Sequence, residues 1–183
     1  MEMELDDSLT LDDQEKLLNL NQFLEIEPDN ASALINRGNI YYTLDKYDDA
    51  LSDVNRSLKL EPNNTDALKL RITIYKSLEK FNEALADLNK LLTINQNDAF
   101  ALCDRGEIYN ELGKYNEALS DFNKSLEIEP NDAYVLSCRG DVYIILGKYN
   151  QAFSDYNKSL EIDSNADYAL ESRADAYLTL GKY

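Results

Sequence analysis

Residues 99–132 read AFALCDRGEIYNELGKYNEALSDFNKSLEIEPND, and residues 133–166 read AYVLSCRGDVYIILGKYNQAFSDYNKSLEIDSNA. The two stretches are consecutive and agree at 20 of 34 positions. An internal repeat of this length marks a stacked array, in which each unit buries its apolar face against its neighbours. The chain-breaking residues keep the same period. Pro28, Pro62 and Pro130 are spaced by 34 and 68 residues. Gly38, Gly106 and Gly140 share one phase, while Gly113, Gly147 and Gly181 share another. All six glycines are thereby placed, and none is left for a phosphate-cradling loop.

Inside each unit the apolar spacing is helical. Leu102, Gly106, Tyr109 and Leu112 fall on one stripe, and Ala118, Leu119, Phe122, Leu126 and Ile128 on a second. Between them Leu112-Gly113-Lys114-Tyr115 reads as a helix stop and restart, with glycine supplying a left-handed turn. Pro130 blocks continuation of the second helix, and Asp132 is placed to cap the next one. Asn30, Asn64 and Asp98 hold the same capping slot. Gly106 and Ala118 are expected to face each other where the paired helices approach most closely.

Composition removes several classes of function. The 183 residues carry a formal charge of −17 and contain no histidine, the commonest general base and metal ligand. Two cysteines, Cys103 and Cys138, are too few for a disulfide framework or a four-cysteine zinc site. No nucleophile–base pair, phosphate loop or calcium loop is present, so the chain is read as no enzyme and as needing no cofactor. Such an acidic chain is not expected to bind nucleic acid, and no apolar run is long enough for a membrane span. Without a signal-peptide pattern, a cytoplasmic location is expected.

The 34-residue unit resembles the tetratricopeptide repeat family. The resemblance rests on Leu102, Gly106, Tyr109, Ala118, Phe122 and Pro130 and on their recurrence. It covers residues 31–183 as repeats and 10–30 as a half unit. It implies an all-α solenoid of stacked antiparallel helix pairs wound into a right-handed superhelix. The expected layout is an acidic tail over 1–11 and a half repeat, second helix only, over 12–30. Repeats follow at 31–64, 65–98 (degenerate), 99–132 and 133–166, with a half repeat over 167–183. Residues 12–27 align as a second helix because Leu17, Leu20 and Leu24 match Leu51, Val54 and Leu58. The degenerate unit carries Ile72, Glu79 and Gln96 in place of two glycines and a proline. Its helices are expected to sit farther apart or to shift around Ile72.

Two recurrences point to roles. Tyr41, Tyr75, Tyr109, Tyr143 and Tyr177, with Tyr47, Phe81, Tyr115, Tyr149 and Tyr183, form periodic aromatic stripes read as core packing. Arg37, Arg71, Arg105, Arg139 and Arg173 share one slot, and Asp53, Asp87, Asp121 and Asp155 another. These are expected to pair as a partly buried ladder between helices. Asn55, Asn89, Asn123 and Asn157 each follow an aspartate by two positions.

From the resemblance, the outward faces of the first helices line a concave surface. The lining residues would be Asn36 and Asn39, then Lys69 and Lys76, then Phe100, Cys103, Asp104, Glu107 and Asn110. The later units would add Tyr134, Cys138, Asp141, Ile144 and Ile145, then Tyr168, Glu171 and Asp175. Asn36, Asn39 and Lys69 make only a fragment of the basic clamp with which family members hold acidic chaperone tails, and Phe100 and Asp104 interrupt it. The surface turns acidic and apolar along the chain, so the expected partner is a basic or basic–apolar segment of another protein, steered by charge. A solvated acidic face without a ligand is the plain alternative. The half units also suggest head-to-tail self-association, or a regulatory segment of a longer, multidomain enzyme.

Overall fold

A computed structural model describes residues 11–179 and Gly181; the acidic tail over 1–10, together with Leu180, Lys182 and Tyr183, lies outside the described residues. Among the described residues there are ten α-helices and no strand. They fall into two compact units, Met1–Ile94 and Asn95–Tyr183.

The first unit holds α1 (Leu11–Ile26), α2 (Ala31–Thr43), α3 (Tyr47–Leu60), α4 (Thr65–Ser77) and α5 (Phe81–Ile94). Here α2 pairs with α3 and α4 with α5, while α3 and α2 both pack on α4. Leu17 and Leu24 of α1 are buried, and Leu24 and Leu20 pack with Ala33 and Leu34 of α2. The second unit holds α6 (Ala99–Glu111), α7 (Tyr115–Ile128), α8 (Ala133–Ile145), α9 (Tyr149–Ile162) and α10 (Asp167–Thr179). It stacks in the same way, α6 with α7 and α8 with α9, with α10 lying on α8 and α9. Each unit is a solenoid segment of antiparallel helix pairs.

The helix boundaries have local causes. Asn30, Asp98 and Asp132 each accept a hydrogen bond at 3.0 Å from the backbone N–H three residues on, and Asn64 accepts from Asp66 and Ala67. Such caps satisfy N–H groups that a helix start leaves orphaned. The stop inside each pair takes a left-handed residue: Asp45 and Glu79 in the first unit, Gly113 and Gly147 in the second.

The close contact between paired helices adds a partner to the sequence expectation. A Cβ on Gly38 would meet the carbonyl oxygen of Ala50, in the slot equivalent to Ala118, at 3.5 Å, while one on Gly106 would sit 2.7 Å from the Phe122 ring and one on Gly140 would sit 2.6 Å from the Tyr156 ring. The glycine makes room for a large side chain sixteen residues on. In the degenerate repeat the exchange runs the other way, with Ile72 in the glycine slot opposite Leu88 in the aromatic slot, both buried.

Candidate functional site

The first helices α2, α4, α6, α8 and α10 carry every residue assigned to the concave face. The same helices carry the arginines of an Arg–Asp ladder. Arg37 grips Asp53 through Nε and Nη2 at 2.6 and 2.7 Å, and Arg71 holds Asp87 at 2.7 Å through both. Arg105–Asp121 and Arg139–Asp155 repeat the fork at 2.7–2.8 Å. All four aspartates are buried. The remaining Nη1 donates to the asparagine sixteen residues before the arginine: Arg37 to Asn21, Arg71 to Asn55, Arg139 to Asn123 and Arg173 to Asn157. Each such arginine therefore ties its first helix to the preceding second helix, and all but Arg173 also hold their own. Asn21 of α1 accepts from Arg37 as Asn55 of α3 accepts from Arg71.

Asn55, Asn123 and Asn157 stand out in the sequence by their spacing from the aspartates, which does not reveal their partner, and Asn21, with Asn19 in place of an aspartate at that spacing, does not stand out. The tyrosine stripe reads from sequence as packing alone. Tyr41, Tyr75, Tyr109 and Tyr143 lie 5.8–5.9 Å from the guanidinium carbon of the arginine four residues before them. An aromatic face at that distance attracts the cation and limits its motion. Tyr149 is exposed, whereas the partly exposed Tyr177 ring packs on Phe153 with centroids 4.5 Å apart.

On the face itself, Asn36, Asn39 and Lys69 are exposed and Lys76 is half-buried. In the second unit Phe100, Tyr134, Ile145, Tyr168, Glu171 and Asp175 are exposed, and Asp104, Glu107, Asn110, Asp141 and Ile144 are half-buried. Ile144 packs toward Tyr156 and Ala176. Cys103 and Cys138 are corrections: both are buried in one apolar cluster with Phe122, Val135 and Val142, not open on a surface. Free, small and apolar enough for the core, they are pushed away from thiolate by burial first and by Glu107 second, Cys138 up to about 12.

The structure joins several of these residues across repeats. The Tyr134 hydroxyl donates to Glu107, and that of Tyr168 donates to Asp141. Asp141 also accepts the Tyr156 hydroxyl at 2.6 Å. Tyr156 was missed because it stands in the slot filled by Phe122, where a purely apolar role was expected. Burial, then the carboxylate partner, raises the pKa of Tyr134, Tyr156 and Tyr168, so each remains a neutral donor near pH 7. The result is a rigid, half-exposed aromatic and acidic face. Among the described residues no cluster of cysteine, aspartate or glutamate could hold a metal, and no helix is long and apolar enough to cross a membrane.

Comparison with known proteins places this geometry. Family models described as tetratricopeptide repeat match residues 31–64, 73–98, 99–132 and 122–153, and one described as TPR repeat matches 140–181. Among solved structures, a tetratricopeptide repeat protein from Parabacteroides merdae superposes with a TM-score of 0.83 at 28% identity, over 91% of this chain and 66% of that one. YrrB, described as a TPR protein with an unusual peptide-binding site, gives 0.76 at 24% identity, over 89% and 84%. MamA from Desulfovibrio magneticus gives 0.78 at 19%, over 85% and 88%. A search of curated proteins found no match.

Proposed function

The chain belongs to the tetratricopeptide repeat family, and on that premise we propose that it is a noncovalent protein-interaction module whose second unit takes a basic–apolar segment of a partner. One observation carries the choice of partner. Helices α6, α8 and α10 bear seven carboxylates, from Asp104, Glu107, Glu111, Asp141, Asp167, Glu171 and Asp175. Their only cations are Arg105, Arg139 and Arg173, which the ladder engages. Beside this excess of carboxylates, Phe100 is 72% exposed, and Tyr134, Ile145 and Tyr168 are exposed as well. Apolar area supplies affinity, and the surrounding negative potential selects and steers a cationic segment. A peptide-binding role also agrees with the description of YrrB, whose fold this chain shares.

The test is titration of the full chain with acidic, apolar, basic and basic–apolar peptides at low and high salt. Binding is expected for the last two classes, weakened by salt and by Glu171→Lys. Glu171 is the better choice for charge reversal because Glu107 and Asp141 also anchor tyrosines. Equal binding of acidic peptides, or binding indifferent to both salt and Glu171→Lys, rejects the reading.

A further inference from the structure

Tyr134 and Tyr168 occupy the same slot on consecutive first helices, α8 and α10. Their ring centroids are 5.5 Å apart with the planes tilted by 46°. The two residues are 50% and 44% exposed, yet neither hydroxyl is loose, since Glu107 and Asp141 hold them. A phenol that donates to a carboxylate is polarised toward its ring, which deepens the negative π-face that attracts cations. Little rotamer freedom remains to be lost when something stacks on it.

A hollow of about 710 Å³ opens against both rings. Pro130, Ala133, Ala166 and Ala169 give it apolar walls, while Glu129 and Asp167 add carboxylates, and no lysine or arginine lines it. Two further acidic residues there have structural work: Asp132 caps α8, and Asp163 accepts from the Asn165 N–H. The starts of α8 and α10 face the same hollow, and their dipoles oppose a compact ammonium. A guanidinium, flat, delocalised and weakly hydrated, loses less on leaving water and matches a ring face and a carboxylate at once.

We propose that the Tyr134–Tyr168 pair and its hollow seat an arginine side chain of the partner protein. This deepens the reading above and rests on it. The geometry assigns stacking to the rings, charge pairing to Glu129 and Asp167, and the aliphatic stem of the arginine to the alanine and proline wall.

The experiment compares three blocked nonapeptides, alternating leucine with arginine, lysine or citrulline, by calorimetry on the full chain. The arginine peptide is expected to bind about threefold or more tighter than the lysine peptide, and the citrulline peptide far more weakly than either. Tyr134→Leu and Tyr168→Leu are each expected to weaken the arginine peptide about fivefold and to abolish its advantage over lysine. Tyr168→Phe, which keeps the ring, retains most of that advantage, and far-UV circular dichroism checks that each variant folds. The peptide comparison on the unaltered chain stands even where a leucine variant fails to fold. Equal binding of arginine and lysine peptides, still weakened by Glu171→Lys, overturns the arginine seat and leaves the acidic face in place. Binding of none of the peptides overturns both.

Discussion

The two units use one frame and present different surfaces. In the first unit, α2 and α4 carry Asn36, Asn39, Lys69 and Lys76 outward, with a single carboxylate, Asp66. In the second, the equivalent helices carry seven carboxylates and the exposed rings of Phe100, Tyr134 and Tyr168. The ladder does not register this change. Arg37–Asp53 and Arg71–Asp87 have the same forked geometry as Arg105–Asp121 and Arg139–Asp155. The units also fill their helix-pair contacts differently, with Gly38 against Val54 in the first, and Gly106 against Phe122 and Gly140 against Tyr156 in the second. Frame and surface are thus encoded in separate slots of the repeat, so the surface chemistry can change without altering how the helices are tied.

The ladder offers the strongest way to break this equivalence. Asp87→Ala and Asp121→Ala each strand an arginine that is four-fifths buried, and each is expected to cost about 1–4 kcal/mol. Denaturant unfolding of both variants measures it. A large loss in one unit with none in the other would mean that the frame is not shared.

The helix-pair contact should separate the units more sharply. Gly140→Ala drives a methyl into the flat ring of Tyr156 and is expected to cost about 1–3 kcal/mol. Gly38→Ala meets Val54 only at 3.2 Å, and alanine's better helix propensity offsets the crowding, so its melting temperature should stay close to wild type. Equal losses at both sites would remove the distinction between an aromatic and an aliphatic contact.

The smallest effect concerns the turns. Glu79 holds φ of 54° where the second unit has Gly113 and Gly147 near 70°. Glu79→Gly relieves a left-handed strain that only glycine avoids, and is expected to stabilise by about 0.5–1 kcal/mol in the same melts. Destabilisation would mean that the Glu79 side chain contributes more than its backbone conformation costs.

Much of this was legible in one dimension. The period, the caps at Asn30, Asn64, Asp98 and Asp132, and the pairing of helices follow from residues a few positions apart, where spacing alone fixes geometry. The ladder was readable because Arg and Asp recur together in each of the four full-length repeats. The candidate face was legible in outline, through its drift from Asn36 and Lys69 to Glu107 and Asp141.

What the sequence by itself determined is therefore the repeating helix pair and the cast of its ladder. Only the tertiary structure decided that Gly106 makes room for the Phe122 ring, and that Asn55 and Asn123 serve arginines of the following repeat. It also decided that Cys103 and Cys138 are core residues and that Tyr134, Tyr156 and Tyr168 hold Glu107 and Asp141. Those contacts span 15 to 27 residues and depend on how far each helix is rotated about its axis. That rotation is set by the packing of whole side-chain volumes, a balance that no single motif contains.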